Sequence, residues 1–178
     1  MSSQLIVVFG LPGSGKSTLA ERLAKRLGAT ALSSDVLRAE LGLKGDYRME
    51  TISEVYRVML KRAGAALESG GTVIVDGSFS NHRFREQAAA AARAAGADLV
   101  LIHMVANEET TLERVGRKRK LSEAGPEAYA LLKERFRAVE GEHLRLDSSE
   151  TPVWRLVRQA EEYVASRRAR SAKVNLLG

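Results

Sequence analysis

Residues 10–17 read Gly10-Leu11-Pro12-Gly13-Ser14-Gly15-Lys16-Ser17, the pattern G-x-x-x-x-G-K-[ST]. The run Leu5-Ile6-Val7-Val8-Phe9 precedes it, and Lys16–Leu27 follows with Leu19, Leu23 and Leu27 at helical spacing before Gly28. An unbroken apolar run rich in β-branched residues is what a strand covered on both faces requires. The leucines make one face of a helix, which the glycine ends. Strand, glycine-rich turn and helix in that order form a phosphate cradle: the turn aims successive N–H groups inward, and the helix adds its positive N-terminal end. Gly10, Pro12, Gly13, Ser14 and Gly15 are therefore expected to wrap the phosphates of a nucleoside triphosphate, ATP in the simplest case. Lys16 would bridge the β- and γ-phosphates, Ser17 would hold Mg²⁺, and Thr18 would reach the α-phosphate. The plainer alternative is a tight glycine turn that binds nothing.

Downstream, strand and helix patterns alternate. Strands are expected near Ala29–Ser33, Thr72–Asp76, Asp98–Val105 and Glu142–Asp147. Helices are expected over Asp35–Leu41, Thr51–Glu68, His82–Ala95, Glu108–Arg117, Pro126–Val139 and Pro152–Arg168. About five strands each followed by helix predict a three-layer α/β/α sandwich on a mainly parallel sheet with right-handed crossovers. The 178 residues suit one domain, taken as residues 1–170 with a small lid at about 114–126 and a flexible tail at 171–178. The small-residue run Ala88–Ala92 suits close approach of a helix to the sheet, and Trp154 and Tyr163 read as core or as packing beside the nucleotide base.

Composition removes several chemistries. No cysteine means no disulfide, thiol catalysis or Cys-ligated metal, and His82, His103 and His143 lack metal-ligand spacing. No apolar run approaches membrane-span length, so a cytoplasmic address without membrane contact is expected. The net charge of +6 is uneven: residues 111–178 hold 15 Lys and Arg against 10 Asp and Glu. An anionic partner there and a merely solvated basic surface both account for it.

Other features narrow the reaction. The sequence lacks the Asn-Lys-x-Asp element that GTPases use to read the base, and its third strand ends Val75-Asp76-Gly77-Ser78 without the Glu of motor ATPases. A kinase passing a γ-phosphoryl group to an acceptor hydroxyl remains. Ser34-Asp35-Val36-Leu37-Arg38 closes the second strand, whose end lies beside the phosphate loop in such a sandwich. Asp35 there can deprotonate an acceptor hydroxyl, and Arg38, one turn on, can hold an acceptor phosphate. Capping of the helix by Asp35, with Arg38 as a surface partner, is the alternative. Arg114, Arg117, Lys118, Arg119 and Lys120, ahead of Gly125-Pro126, suit a mobile lid whose arginines neutralise charge during transfer. A solvated basic face is again the alternative.

Together these residues resemble the P-loop (Walker A) kinases of the AAA_33 type, related to the kinase domains of 5′-hydroxyl polynucleotide kinases. The zeta-toxin and chloramphenicol phosphotransferase folds are more distant relatives. The resemblance runs over about residues 4–150 and rests on Gly10–Thr18, Ser34–Arg38, Val73–Phe79 with Arg83 and Arg85, and Leu112-Glu113-Arg114 with Arg117–Arg119. It implies a five-stranded parallel sheet in order 2-3-1-4-5, Asp35 as general base and Arg38 on the acceptor phosphate. It further implies that Asp76 organises the acceptor site, although Asp76 can equally hold Mg²⁺ through water. Arg83 and Arg85 go with the acceptor, and Arg114 with the nucleotide. Arg117 or Arg119 would stand in for a lid arginine that is Lys118 here. A small-molecule hydroxyl and a nucleic-acid 5′-OH both qualify as acceptor, and an ATP-binding switch without catalysis is the other functional class.

Overall fold

A computed structural model describes residues 3–117 and 125–177, with side chains in the last helix described as far as 173. The apolar run after residue 3 forms β1 (Gln4–Phe9), buried along its whole length. It is central because both its edges are paired in parallel, to β3 (Thr72–Gly77) and to β4 (Asp98–Val105). The edge strands β2 (Thr30–Ser33) and β5 (Leu144–Asp147) complete a five-stranded sheet in the order β2-β3-β1-β4-β5. All four pairings are parallel, so every crossover must climb a face of the sheet.

The strands' alternating residues define two cores. Leu5, Val7 and Phe9 pack with Tyr56, Met59 and Ala63 of α3 (Met49–Glu68) and with Phe84, Ala88 and Ala92 of α4 (His82–Ala94). Ile6 and Val8 pack with Leu19 and Leu23 of α1 (Lys16–Leu27) and with Leu156, Val157 and Ala160 of α7 (Val153–Leu177). The alanines at 88 and 92 give α4 the close approach expected of them. The three-layer α/β/α architecture thus stands as the sequence implies.

The short α2 (Ser34–Glu40) sits directly on the end of β2, while α5 (Glu108–Gly116) and α6 (Pro126–Arg135) follow β4. Helix α6 stops earlier than the pattern suggests, and α7 continues to Leu177, through the stretch expected to be a loose tail. Trp154 is not core: it is 57% exposed, because the buried stripe of α7 runs through Leu156, Val157, Ala160 and Val164 and leaves position 154 outside it. Two guanidinium groups, of Arg155 and Arg158, lie over its ring at 5.4 and 5.9 Å. Among the described residues no helix is long and apolar enough to cross a membrane.

Candidate functional site

The topology brings the C-terminal ends of β1, β2 and β3 together. Phe9 leads into the glycine-rich loop, and α1 begins at once with Gly15 as its cap in the left-handed conformation (φ 84°). No side chain caps this helix and no acidic residue occupies its first turn. The N–H groups at its start are therefore open to water or to a ligand, and the dipole favours an anionic one. Lys16 and Ser17 are half-buried at this end.

Asp76 lies in register with Val8 on one side and Ser33 on the other, which puts its carboxylate beside the loop. It is buried, and Oδ1 accepts hydrogen bonds from Ser33 Oγ at 3.2 Å and Ser17 Oγ at 3.4 Å. Burial pushes its pKa up to about 6; the nearby Lys16 ammonium pulls it down, Asp35 raises it, and the two serine hydroxyls oppose the rise. A hydroxyl and a carboxylate on adjoining strand ends are hard oxygen donors of the kind Mg²⁺ takes, so Ser17 and Asp76 fit that ion. The raised pKa has a consequence for stability. The folded carboxyl holds its proton more tightly than the unfolded chain, whose pKa is about 4, so ionisation costs stability as pH rises from about 4 through 6. Asp76→Asn, in metal-free buffer, should be more stable than the parent at pH 7.5 by on the order of 2–3 kcal/mol and about equal at pH 4. Urea unfolding at the two pH values checks this, and equal stability of the two proteins at both would refute it.

Asp35 and Arg38 sit on α2 three residues apart and are ion-paired at 2.9 Å. Arg38 is buried, its guanidinium lies 4.6 Å above the Tyr47 ring, and its Nε has no hydrogen-bond partner. Its expected alternative as a surface partner does not hold. Asp35, Arg38, Lys16, Ser34, Tyr56 and Ser78 line one narrow cleft of about 20 Å³. The helix cap itself is Ser33, so the Asp35 carboxylate is bonded to Arg38 and not to the backbone of a first turn.

The remaining basic residues divide. Arg114 does not line that cleft. It lines a second cleft of about 470 Å³ with Gly15, Thr18, Ser149 and Pro152, on the far side of the loop. Its guanidinium donates to Gly13 O at 3.1 Å, Ser148 Oγ at 2.7 Å and Ser148 O at 2.9 Å, while Ser148 Oγ donates to Ser14 O at 2.9 Å. These bonds tie the phosphate loop to the β5–α7 turn. Nothing in the sequence pattern singled out residues 148–152; the small, polar run ahead of Pro152 is the signal that was available.

Arg85 is not presented to the acceptor side. It is buried, donates to Phe79 O at 2.9 Å and Ala138 O at 2.7 Å, and burial lowers its pKa. It pins the turn after β3 to the chain following α6. Arg83 is exposed on α4 and does not line the cleft, and Arg117 is exposed at the end of α5, paired with Glu113. Lys118 and Arg119, and most of the expected lid, lie outside the described residues.

Comparison with known proteins places this geometry. The model of the AAA_33 family, described as an AAA domain, matches residues 5–139. The chain belongs to this family. A UPF0200 protein of Aeropyrum pernix is 34% identical over 130 residues, which are 67% of this chain and 67% of that protein. An uncharacterised protein of Mycobacterium bovis is 35% identical over 94 residues, 46% of this chain but 19% of that protein. The chain thus spans about a fifth of the length of the first curated relatives it matches. Among solved structures, the Mycobacterium tuberculosis APS kinase CysC in complex with AMPPNP and APS superposes with a TM-score of 0.72 at 21% identity, over 92% of this chain and 98% of that one. At that identity the likeness concerns the fold alone, a three-layer α/β/α sandwich.

Proposed function

We propose that this AAA_33 domain is an ATP-dependent phosphotransferase that moves the γ-phosphoryl group to the hydroxyl of a small-molecule acceptor. The observation that carries this reading is the shared cleft of Lys16, Asp35 and Arg38, with the uncapped helix α1 beside it. A switch that only binds nucleotide has no use for a half-buried carboxylate sharing a cleft with the phosphate lysine.

The loop N–H groups and Lys16 bind the triphosphate and orient its γ-phosphoryl group toward Asp35. Asp35 accepts the acceptor's hydroxyl proton as the new O–P bond forms and the bond from the γ-phosphorus to the bridging oxygen breaks, leaving ADP. Arg38 holds the carboxylate in place. Ser17 and Asp76 would hold Mg²⁺, which when bound offsets charge on the β- and γ-phosphate oxygens. The cleft beside Gly15, Thr18 and Arg114 is where the base and ribose fit.

Charge favours a small acceptor over a nucleic-acid 5′ end. Arg38 is neutralised by Asp35, and Arg85 is turned into the core, which leaves neither guanidinium to a phosphate backbone. Incubation with γ-³²P-labelled ATP and a panel of sugars, nucleosides, aminoglycosides and 5′-OH oligonucleotides tests this. Label should appear in a member of the first three groups, with little dependence of acceptor binding on salt. Label confined to oligonucleotides would overturn the small acceptor, and hydrolysis without transfer to anything would favour a nucleotide-dependent switch.

A further inference from the structure

Tyr56 has no part in the chemistry above, yet its hydroxyl governs one wall of the acceptor cleft. It lies in the buried face of α3, with its ring stacked on Phe79 (centroids 4.5 Å apart, 11° between planes) and edge-on to Phe84 at 4.8 Å. A phenylalanine would fill that space equally well. The hydroxyl is spent on the turn that follows β3: it accepts from Phe79 N–H at 2.9 Å and lies 3.0 Å from Ser78 Oγ. A Cβ on Gly77 would stand 3.0 Å from it, so glycine at 77 leaves the hydroxyl its room.

The turn needs such a hold. Phe79 is the one non-glycine residue with positive φ (39°) among the described residues, a conformation disfavoured for a bulky side chain. What the hold achieves is the position of Ser78, the half-buried residue just before the clamped Phe79, which lines the cleft with Lys16, Asp35 and Arg38. The proton count orients it. Either hydroxyl can donate in the Tyr56–Ser78 bond; the arrangement that also pairs the buried phenol proton, with Phe79 N–H already donating to the tyrosine oxygen, has Tyr56 donate to Ser78 Oγ and leaves the serine proton for the cleft. Burial pushes the Tyr56 phenol up, so it stays protonated and able to donate.

We propose that Tyr56 is a positioning residue for the acceptor: through Phe79 N–H it fixes Ser78 in the cleft wall with the serine hydroxyl turned to donate to an acceptor oxygen. This rests on the phosphotransferase reading. It makes the acceptor an oxygen-rich molecule with a second polar group close to the one phosphorylated.

The test uses the full chain and whichever acceptor of the panel the parent protein labels. Tyr56→Phe should raise the KM for that acceptor about tenfold, leave its kcat within about threefold, and leave affinity for a methylanthraniloyl ATP analogue within about twofold. Ser78→Ala should do the same, and the double variant should be no worse than Ser78→Ala alone, because both changes remove one device. Additive effects in the double variant, or a parent-like acceptor KM in either single variant, would overturn the proposal while leaving the phosphotransferase reading intact. Ser78→Ala decides the matter if Tyr56→Phe does not fold. A parent protein that labels no acceptor overturns the phosphotransferase reading itself, and this proposal with it.

Discussion

Asp35→Asn is expected to lower phosphoryl transfer about 10²–10⁴-fold, the range lost when a positioned general base is removed. Asn keeps the size of the side chain and a carbonyl oxygen for the Arg38 guanidinium, now 2.9 Å from Asp35 Oδ1. The amide cannot take the hydroxyl proton. Asp35→Ala should lose as much transfer and also destabilise the protein, because it strands the buried Arg38 charge without its partner. ATP affinity should stay within about threefold in both variants, since the phosphates are held by the loop and Lys16. Transfer and nucleotide binding measured on the same preparations separate the two effects. Near-parent turnover in Asp35→Asn would remove Asp35 from the chemistry and return it to a helix-start residue.

Gly10→Ala is expected to be the most damaging single methyl in the site. Gly10 has φ +151°, and a Cβ there would stand 2.1 Å from Met104 O, a backbone atom of the neighbouring strand β4. Neither side of that overlap is a flexible side chain that can swing away. Either β4 shifts relative to β1, breaking the register of Phe9 with His103, or the loop leaves its path. Strain at the dihedral and overpacking each cost about 1–3 kcal/mol, so a loss of about 2–6 kcal/mol in unfolding free energy follows, against the 5–15 kcal/mol typical of a domain. Nucleotide binding should fall with it. Guanidinium unfolding reads the first effect, and a loss below about 1 kcal/mol would mean that the loop is far more adaptable than its packing indicates.

The parts of this site legible in the sequence are those whose chemistry is local. A strand buried on both faces must be an unbroken apolar run, and a helix that leaves its first N–H groups to a phosphate must follow a turn of small residues. The stretch from Leu5 to Ser17 therefore reads directly. Asp35, Arg38 and Asp76 read because they lie at or just past the ends of β2 and β3, on the same side of a parallel sheet. Arg85 misleads for a physical reason: a guanidinium has five donors, and buried carbonyls such as Phe79 O and Ala138 O satisfy them as well as a phosphate does, which the identity of the residue cannot reveal. Ser148 and Tyr56 were invisible because their roles arise in tertiary contact. Ser148 is brought to Ser14 from 134 positions away, and Tyr56 sits at an ordinary core position of α3 whose hydroxyl meets a turn 22 and 23 residues on. Trp154 shows the converse, a large aromatic that the helical stripe of its own neighbours leaves outside the core.

The central claim is that Asp35 takes the proton of the oxygen that receives the phosphoryl group. A crystal structure of the protein with a non-hydrolysable ATP analogue, Mg²⁺ and the acceptor found by the labelling panel tests it most directly. An Asp35 carboxylate oxygen about 2.6–3.2 Å from the acceptor hydroxyl, with that hydroxyl facing the γ-phosphorus, is the predicted result. A hydroxyl bound by another side chain, with Asp35 on the order of 10 Å away and far outside hydrogen-bond reach, would contradict it.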